Sequence, residues 1–235
     1  MWILRVIIIL VVVGGVVAGV SAELSNDHSI SIEGSMDIPD RTVETEWGEA
    51  TISEIGKEQR GDSLDVSTNA PTNDSYVLSI VNSQETILRS EGGTGDVDKT
   101  FGLTGTAGEP GTYVVAMTKD GGDEAEAVEP FIVEGYDVEQ QATDISKGEE
   151  LTVSVTLTKI ESRVESPQVV NVTLTGNNEL RAVEAAKIDE LQYEATFETG
   201  SLSTGNYEVF TGVEGSDSIY GVDELIGLSS AEDVE

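Results

Sequence analysis

The chain has 235 residues, 45 of them acidic against 12 basic, with one histidine, no cysteine and a formal net charge of -33. That balance excludes nucleic-acid binding through a basic face, because phosphate contacts need clustered lysine and arginine. Without cysteine there is no disulfide framework, thiolate metal site or cysteine nucleophile, and one histidine argues against a Ser-His-Asp triad or a multi-histidine zinc site.

In chain order, the first feature is apolar. One positive side chain, Arg5, precedes a run from Val6 to Val20 made of Val, Ile, Leu, Gly and Ala alone, and Val20-Ser21-Ala22 then offers small residues before Glu23 turns polar. This is the layout of a signal peptide, with cleavage expected after Ala22. The run falls short of the roughly 20 residues of a full span. If retained, residues 1–22 are an N-terminal apolar helix that anchors the chain to the membrane. Both readings keep Arg5 inside and export the rest. With no twin-arginine pair and no lipid-accepting cysteine, the general secretion route is expected, and the location is extracellular or at the cell surface.

Short strands follow, separated by Gly, Pro, Asp or Asn. They are predicted at Ser29–Glu33, Arg41–Glu46, Glu49–Ile55, Ser63–Ser67, Tyr76–Val81, Thr86–Ser90, Thr100–Leu103, Thr112–Thr118 and Ala127–Val133. Spacings of roughly 8–12 residues point to an antiparallel sandwich. The pattern restarts after Glu134-Gly135 with Tyr136–Ala142, Glu150–Thr158, Val169–Thr175, Leu191–Glu198, Asn206–Val213 and Leu225–Leu228. Leu151, Val153, Val155 and Leu157 alternate with Thr152, Ser154, Thr156 and Thr158, so one face is buried and the other wet. Glu179–Leu191 has helical propensity as well, but a strand over Leu180–Ala186 and a turn at Lys187–Glu190 suit its β surroundings better.

The halves resemble each other. Gly111-Thr112-Tyr113 matches Gly205-Asn206-Tyr207, and upstream Thr100-Phe101 matches Thr196-Phe197. A Gly-x-Tyr opening a late strand is the signature of the tyrosine corner, whose phenol bonds a backbone group of the preceding loop. The fold class is therefore all-β: two tandem Ig-like antiparallel β-sandwiches, over residues 23–134 and 135–235, after the N-terminal apolar helix.

Acidic residues such as Glu44, Glu54, Glu126, Glu149 and Glu150 are spread among apolar ones instead of being gathered into a tail. Such a chain repels itself in dilute buffer. In salt near 1 M the Debye length falls to about 3 Å and the repulsion is screened, so the pattern fits a halophile's solvated surface. Acid-rich, cysteine-free tandem modules with Gly-x-Tyr late strands resemble haloarchaeal cell-surface and secreted glycoproteins, including modules of S-layer-type proteins. The stretch from Gly205 to Leu228 (GNYEVFTGVEGSDSIYGVDELIGL) carries most of the likeness. The resemblance implies an envelope module. Members of that group usually end in a membrane or sorting segment, whereas this chain stops at Ala231-Glu232-Asp233-Val234-Glu235.

On an exported chain, Asn73-Asp74-Ser75 and Asn171-Val172-Thr173 are N-glycosylation sequons, which makes Asn73 and Asn171 the candidate modification sites. Asp96 and Asp98, and Asp120, Asp123 and Glu124, place carboxylates on glycine turns as calcium loops do, but neither set fits the twelve-residue loop. With 45 acids such clusters arise without function, so no metal or cofactor is expected, and paired-carboxylate glycosidase arguments are empty for the same reason. There is no GxSxG elbow, P-loop or dinucleotide fingerprint. His28 reads as a solvated linker residue, and Trp47 and Tyr136 as core or interdomain packing. The expected function is a non-catalytic extracellular or cell-envelope module that binds other surface proteins or glycans, and not nucleic acid. The alternative is an N-terminally anchored accessory subunit of a surface machine, archaellum-stator-like or transport-associated. A hydrolase comes a distant third.

Overall fold

The structure, a computed structural model, describes residues 27–45, 48–119, 125–143, 145–219 and 222–234. The expected leader or anchor (residues 1–22), Trp47 and the acidic turn at 120–124 lie outside the described residues. The described chain clusters into two compact units. One reaches Val133 and takes in Asp217–Glu224; the other comprises Glu134–Ser216 and the residues from Leu225 onward. Among the described residues the single helical element is a three-residue 3-10 turn, Thr199–Ser201, and no helix is long and apolar enough to cross a membrane.

The first unit begins with β1 (Ser29–Ile32), β2 (Met36–Thr45), β3 (Gly48–Glu58), β4 (Ser63–Asn69) and β5 (Ser75–Val81). It continues through β6 (Ile87–Thr94), β7 (Val97–Gly102), β8 (Gly111–Lys119) and β9 (Ala125–Val133). One sheet has the order β1-β4-β7 and the other β2-β3-β9-β8-β5-β6. Ile32, Leu64, Val66 and Phe101 from the small sheet meet Leu78, Val115, Met117 and Phe131 from the large one in a single apolar core. Fully burying each such side chain contributes about 1.5–3 kcal/mol, which is what holds the layers together.

The pairing is not antiparallel throughout, as the strand spacing implied. β3 runs parallel to β9, with Gly56 opposite Phe131 and Glu58 opposite Val133. The chain gives β1 to one sheet, turns through the β2–β3 hairpin, and lays β3 on the other sheet in the same direction as β9. Gly56 permits this approach, because a Cβ there would stand 2.9 Å from both Ile32 Cγ2 and Phe131 Cβ. Gly93 does similar service on β6, opposite Tyr76: an added Cβ would lie 2.5 Å from the tyrosine ring. That ring is buried, and its hydroxyl donates to Gly95 O (2.7 Å) and pairs with Thr68 Oγ1 (2.6 Å).

The second unit opens with β10 (Tyr136–Ala142), β11 (Glu150–Lys159), β12 (Val169–Gly176), β13 (Glu179–Glu184) and β14 (Ala186–Asp189). It closes with β15 (Gln192–Glu198), β16 (Tyr207–Ile219), β17 (Val222–Leu228) and β18 (Glu232–Val234), with Asp217–Ile219 of β16 and Val222–Glu224 of β17 clustering with the first unit. Sheet orders are β10-β11-β15-β14 and β13-β12-β16-β17, with β18 also on β16. Strict alternation on β11 delivers Leu151, Val153, Val155 and Leu157 to the core. Tyr136 is fully buried in it, as packing and not as an exposed ring.

Where one strand and a turn were expected between Glu179 and Leu191, the chain forms two strands on different sheets. β13 pairs with β12 and β14 with β15, and the change happens at one buried residue, Ala185, whose amide donates to Val170 O (2.7 Å).

Both Gly-x-Tyr strands make the corner their sequences announce. Tyr113 donates its hydroxyl to Glu109 O (2.7 Å), and Tyr207 donates to Ser203 O (3.1 Å), each reaching four residues back. The matched phenylalanines, Phe101 on β7 and Phe197 on β15, are both buried in their cores. The architecture is all-β and consistent with two β-sandwiches, and the strand orders and corners fit the Ig-like plan expected from the sequence.

Candidate functional site

Alternation along β9 points Ala127, Phe131 and Val133 into the first core. Glu129 is in phase with them. It is 9% exposed, and its Oε1 is buried without a hydrogen-bond partner. Burial, and secondarily the negative charge of Glu54, push its carboxyl up to about 8. Glu54, half-buried on β3, accepts a hydrogen bond from Ser35 Oγ (2.6 Å). At the far end of β3, burial first and then Asp62 and Asp65 raise the half-buried Glu58 to about 7. Both shifts have the sign expected when a carboxylate loses water without gaining a cation.

The second unit buries its polar groups differently. Gln140 Nε2 donates to Val209 O (2.7 Å) and Ser230 O (3.1 Å), and its Oε1 accepts from Thr211 Oγ1 (2.7 Å) and Ser229 Oγ (3.0 Å). Ser229 Oγ in turn accepts from Thr211 N (2.8 Å). Tyr136 donates to Glu165 O (2.7 Å), and burial, reinforced by Tyr193 and Glu165, pushes its phenol up to about 12.

Asn73 is exposed on the turn before β5. Asn171 is half-buried on β12, and its Nδ2, the atom that would carry a glycan, donates to Glu214 Oε1 (2.6 Å). The two loop aspartates have structural partners: Asp96 Oδ1 accepts from Ala70 N (3.0 Å) and Asp98 Oδ1 from Ser67 Oγ (2.8 Å). His28 is no solvated linker. Its side chain is 7% exposed, with Nε2 3.5 Å from Asp74 Oδ2 and Nδ1 3.7 Å from Glu126 Oε2. The strand β1 that follows holds it against the start of β5 and β9, where the sequence suggested a loose arm.

Among the described residues no three His, Asp or Glu side chains converge in a metal-holding group. A mostly apolar hollow of about 110 Å³ lies at the corner of the second sandwich among Leu151, Leu174, Leu202 and Tyr207, and a wider, more open depression of about 470 Å³ lies on the first beside Tyr76, Gly92, Gly93 and Lys99. Sequence reasoning passed over the Glu54–Glu129 pair. The signal was available, since Glu129 occupies an inward position of an otherwise apolar alternation.

No protein-family description and no curated protein matches the chain. Solved structures do, loosely. Trypsin-activated alpha-2-macroglobulin from Escherichia coli overlaps at 12% identity and TM-score 0.28, over 77% of this chain and 15% of that one. A tetra-tandem repeat from the extending region of a large adhesion protein overlaps at 14% and 0.32, over 88% and 49%. The fibronectin(III)-like modules of CbhA from Clostridium thermocellum overlap at 15% and 0.27, over 87% and 91%. Overlaps this loose add nothing to the strand orders and tyrosine corners.

Proposed function

We propose that the chain is a non-catalytic extracellular module of a halophilic archaeon's envelope, serving as a spacer or as a contact surface for other surface proteins or glycans. The observation that supports it best is the pair of tyrosine corners. Each closes a self-contained sandwich whose interior is filled by side chains, so the apolar content of the chain is spent on building two modules. Only Glu134 and Gly135 separate β9 from β10, as suits modules set in tandem. The excess of carboxylates suits brine, where screening removes self-repulsion. Asn73, on an exposed turn, is the better of the two glycan acceptors, because the Asn171 amide is already engaged.

Intact mass and N-terminal sequencing of native material test the reading. The expected result is a chain beginning at Glu23 in the extracellular or envelope fraction, with added sugar mass at Asn73. Retention of Met1–Ala22 in the membrane fraction makes it an anchored subunit instead, and an unprocessed cytosolic protein refutes export. Thermal melts should also rise between about 0.1 M and 3 M KCl, because the Debye length shrinks from about 10 Å to below about 3 Å. Equal or lower melting in the concentrated salt contradicts the halophilic reading.

A further inference from the structure

β6 ends the large sheet of the first sandwich, so among the described residues one side of its backbone has no strand partner. Such an edge invites pairing with another chain unless charge, a bulge or a cover blunts it. The first half of β6 is blunted: its register shifts opposite Ile80 and Val81, and Arg89 and Glu91 form an ion pair at 2.7 Å that Lys99 of β7 extends at 3.7 Å. The second half, Gly92-Gly93-Thr94, has neither charge nor bulge. There the surface sinks into the depression of about 470 Å³, whose walls include Ser75, Gly92, Gly93, Thr94 and Lys99.

Ser75 is also the hydroxyl residue of the first sequon. It stands opposite Thr94 in the β5–β6 register, with the two hydroxyl oxygens 3.2 Å apart. Asn73, exposed on the preceding turn, is two residues away, a reach of at most about 7 Å along the chain. That turn leans on the end of β6: Gly95 N donates to Asp74 O (3.1 Å), and a Cβ on Gly95 would stand 3.2 Å from Thr72 Cα.

We propose that the glycan on Asn73 folds back into this depression and covers the unguarded half of the β6 edge. The inference rests on the glycosylation of Asn73 proposed above. Sugar hydroxyls both donate and accept, so they can meet the N–H and C=O groups of an unpaired edge, and the two glycines place no side chain in the way. The Lys99 ammonium has three donors and can serve a sugar oxygen as well as Glu91.

The test compares the native glycoprotein with full-length Asn73→Gln and Ser75→Ala made in the same host. Each variant destroys the sequon at a different residue, so one failing to fold does not decide the outcome. Amine acylation with limiting reagent is read by peptide mapping, with Lys187 on the exposed β14 as reference, and hydrogen exchange is read over residues 92–94. The expected result is sugar mass on the Asn73 peptide, Lys99 acylated several-fold more slowly than in either variant, slower exchange at the edge, and equal labelling of Lys187. Sugar at Asn73 with equal Lys99 labelling or equal exchange overturns the inference and leaves the glycosylation reading intact. No sugar at Asn73 overturns both.

Discussion

The two sandwiches share a plan, and each buries one glutamate oxygen without a hydrogen-bond partner, Glu129 Oε1 in the first and Glu179 Oε2 in the second; they differ in the polar side chains set against each core. In the second, Gln140, Thr211 and Ser229 form a neutral network in which each polar atom named has a partner. In the first, Glu129 enters the core as an ionisable group with one oxygen unmet. A satisfied amide is indifferent to pH and costly to remove, whereas an unmet carboxyl is costly to keep and its cost depends on proton or cation supply. The same fold thus contains one polar site that stabilises and one whose cost varies with pH.

The largest expected effect breaks the comparison at Glu129. Its carboxyl is raised from 4.5 to about 8. Below about pH 4.5 both folded and unfolded chains hold the proton and there is no differential. Above that the unfolded chain releases it while the folded chain keeps it, so stability falls as pH rises through 8, by at most about 5 kcal/mol. Urea melts at pH 5 and pH 8 should show wild type losing several kcal/mol more than Glu129→Gln; parallel profiles would refute the assignment. Glu58 acts with the same sign, more weakly, because solvent reaches it.

Gln140→Leu comes next. It leaves the Thr211 and Ser229 hydroxyls and two carbonyls without their partner and should cost roughly 3 kcal/mol, equally at both pH values. A pH-dependent loss there would erase the contrast between the sandwiches. Gly93→Ala should cost about 1–3 kcal/mol by driving a methyl into the Tyr76 ring, read as a lower urea midpoint and a changed tyrosine environment in near-ultraviolet circular dichroism. Tyr113→Phe and Tyr207→Phe should each cost about 1 kcal/mol, with Tyr113 the larger, since its bond is 2.7 Å against 3.1 Å. A reversed order would show that something other than the corner bond separates them.

Much of the fold was legible because period-two alternation is local: the β11 pattern and both Gly-x-Tyr strands name their own buried faces. The remainder depends on partners distant in sequence. Parallel pairing of β3 with β9 is decided by the close approach at Gly56, which no local pattern around it signals. The sheet change at Ala185 hides in a polar stretch where neither neighbouring strand has a strong apolar face. His28 looked loose because its carboxylate neighbours, Asp74 and Glu126, are far along the chain. Glu129 was hidden by abundance, since among 45 acids composition does not tell the inward one from the rest, although its phase does.

β14 is four residues long, exposed throughout, and forms an open margin of its sheet. Ile188 stands out at 59% exposed, but Lys187 and Asp189 flank it. An invading strand from another molecule would have to strip water from both charges to gain four residues of pairing. The margin is thereby guarded against fibre-like stacking, a safeguard that would count most at salt concentrations high enough to screen the repulsion between chains.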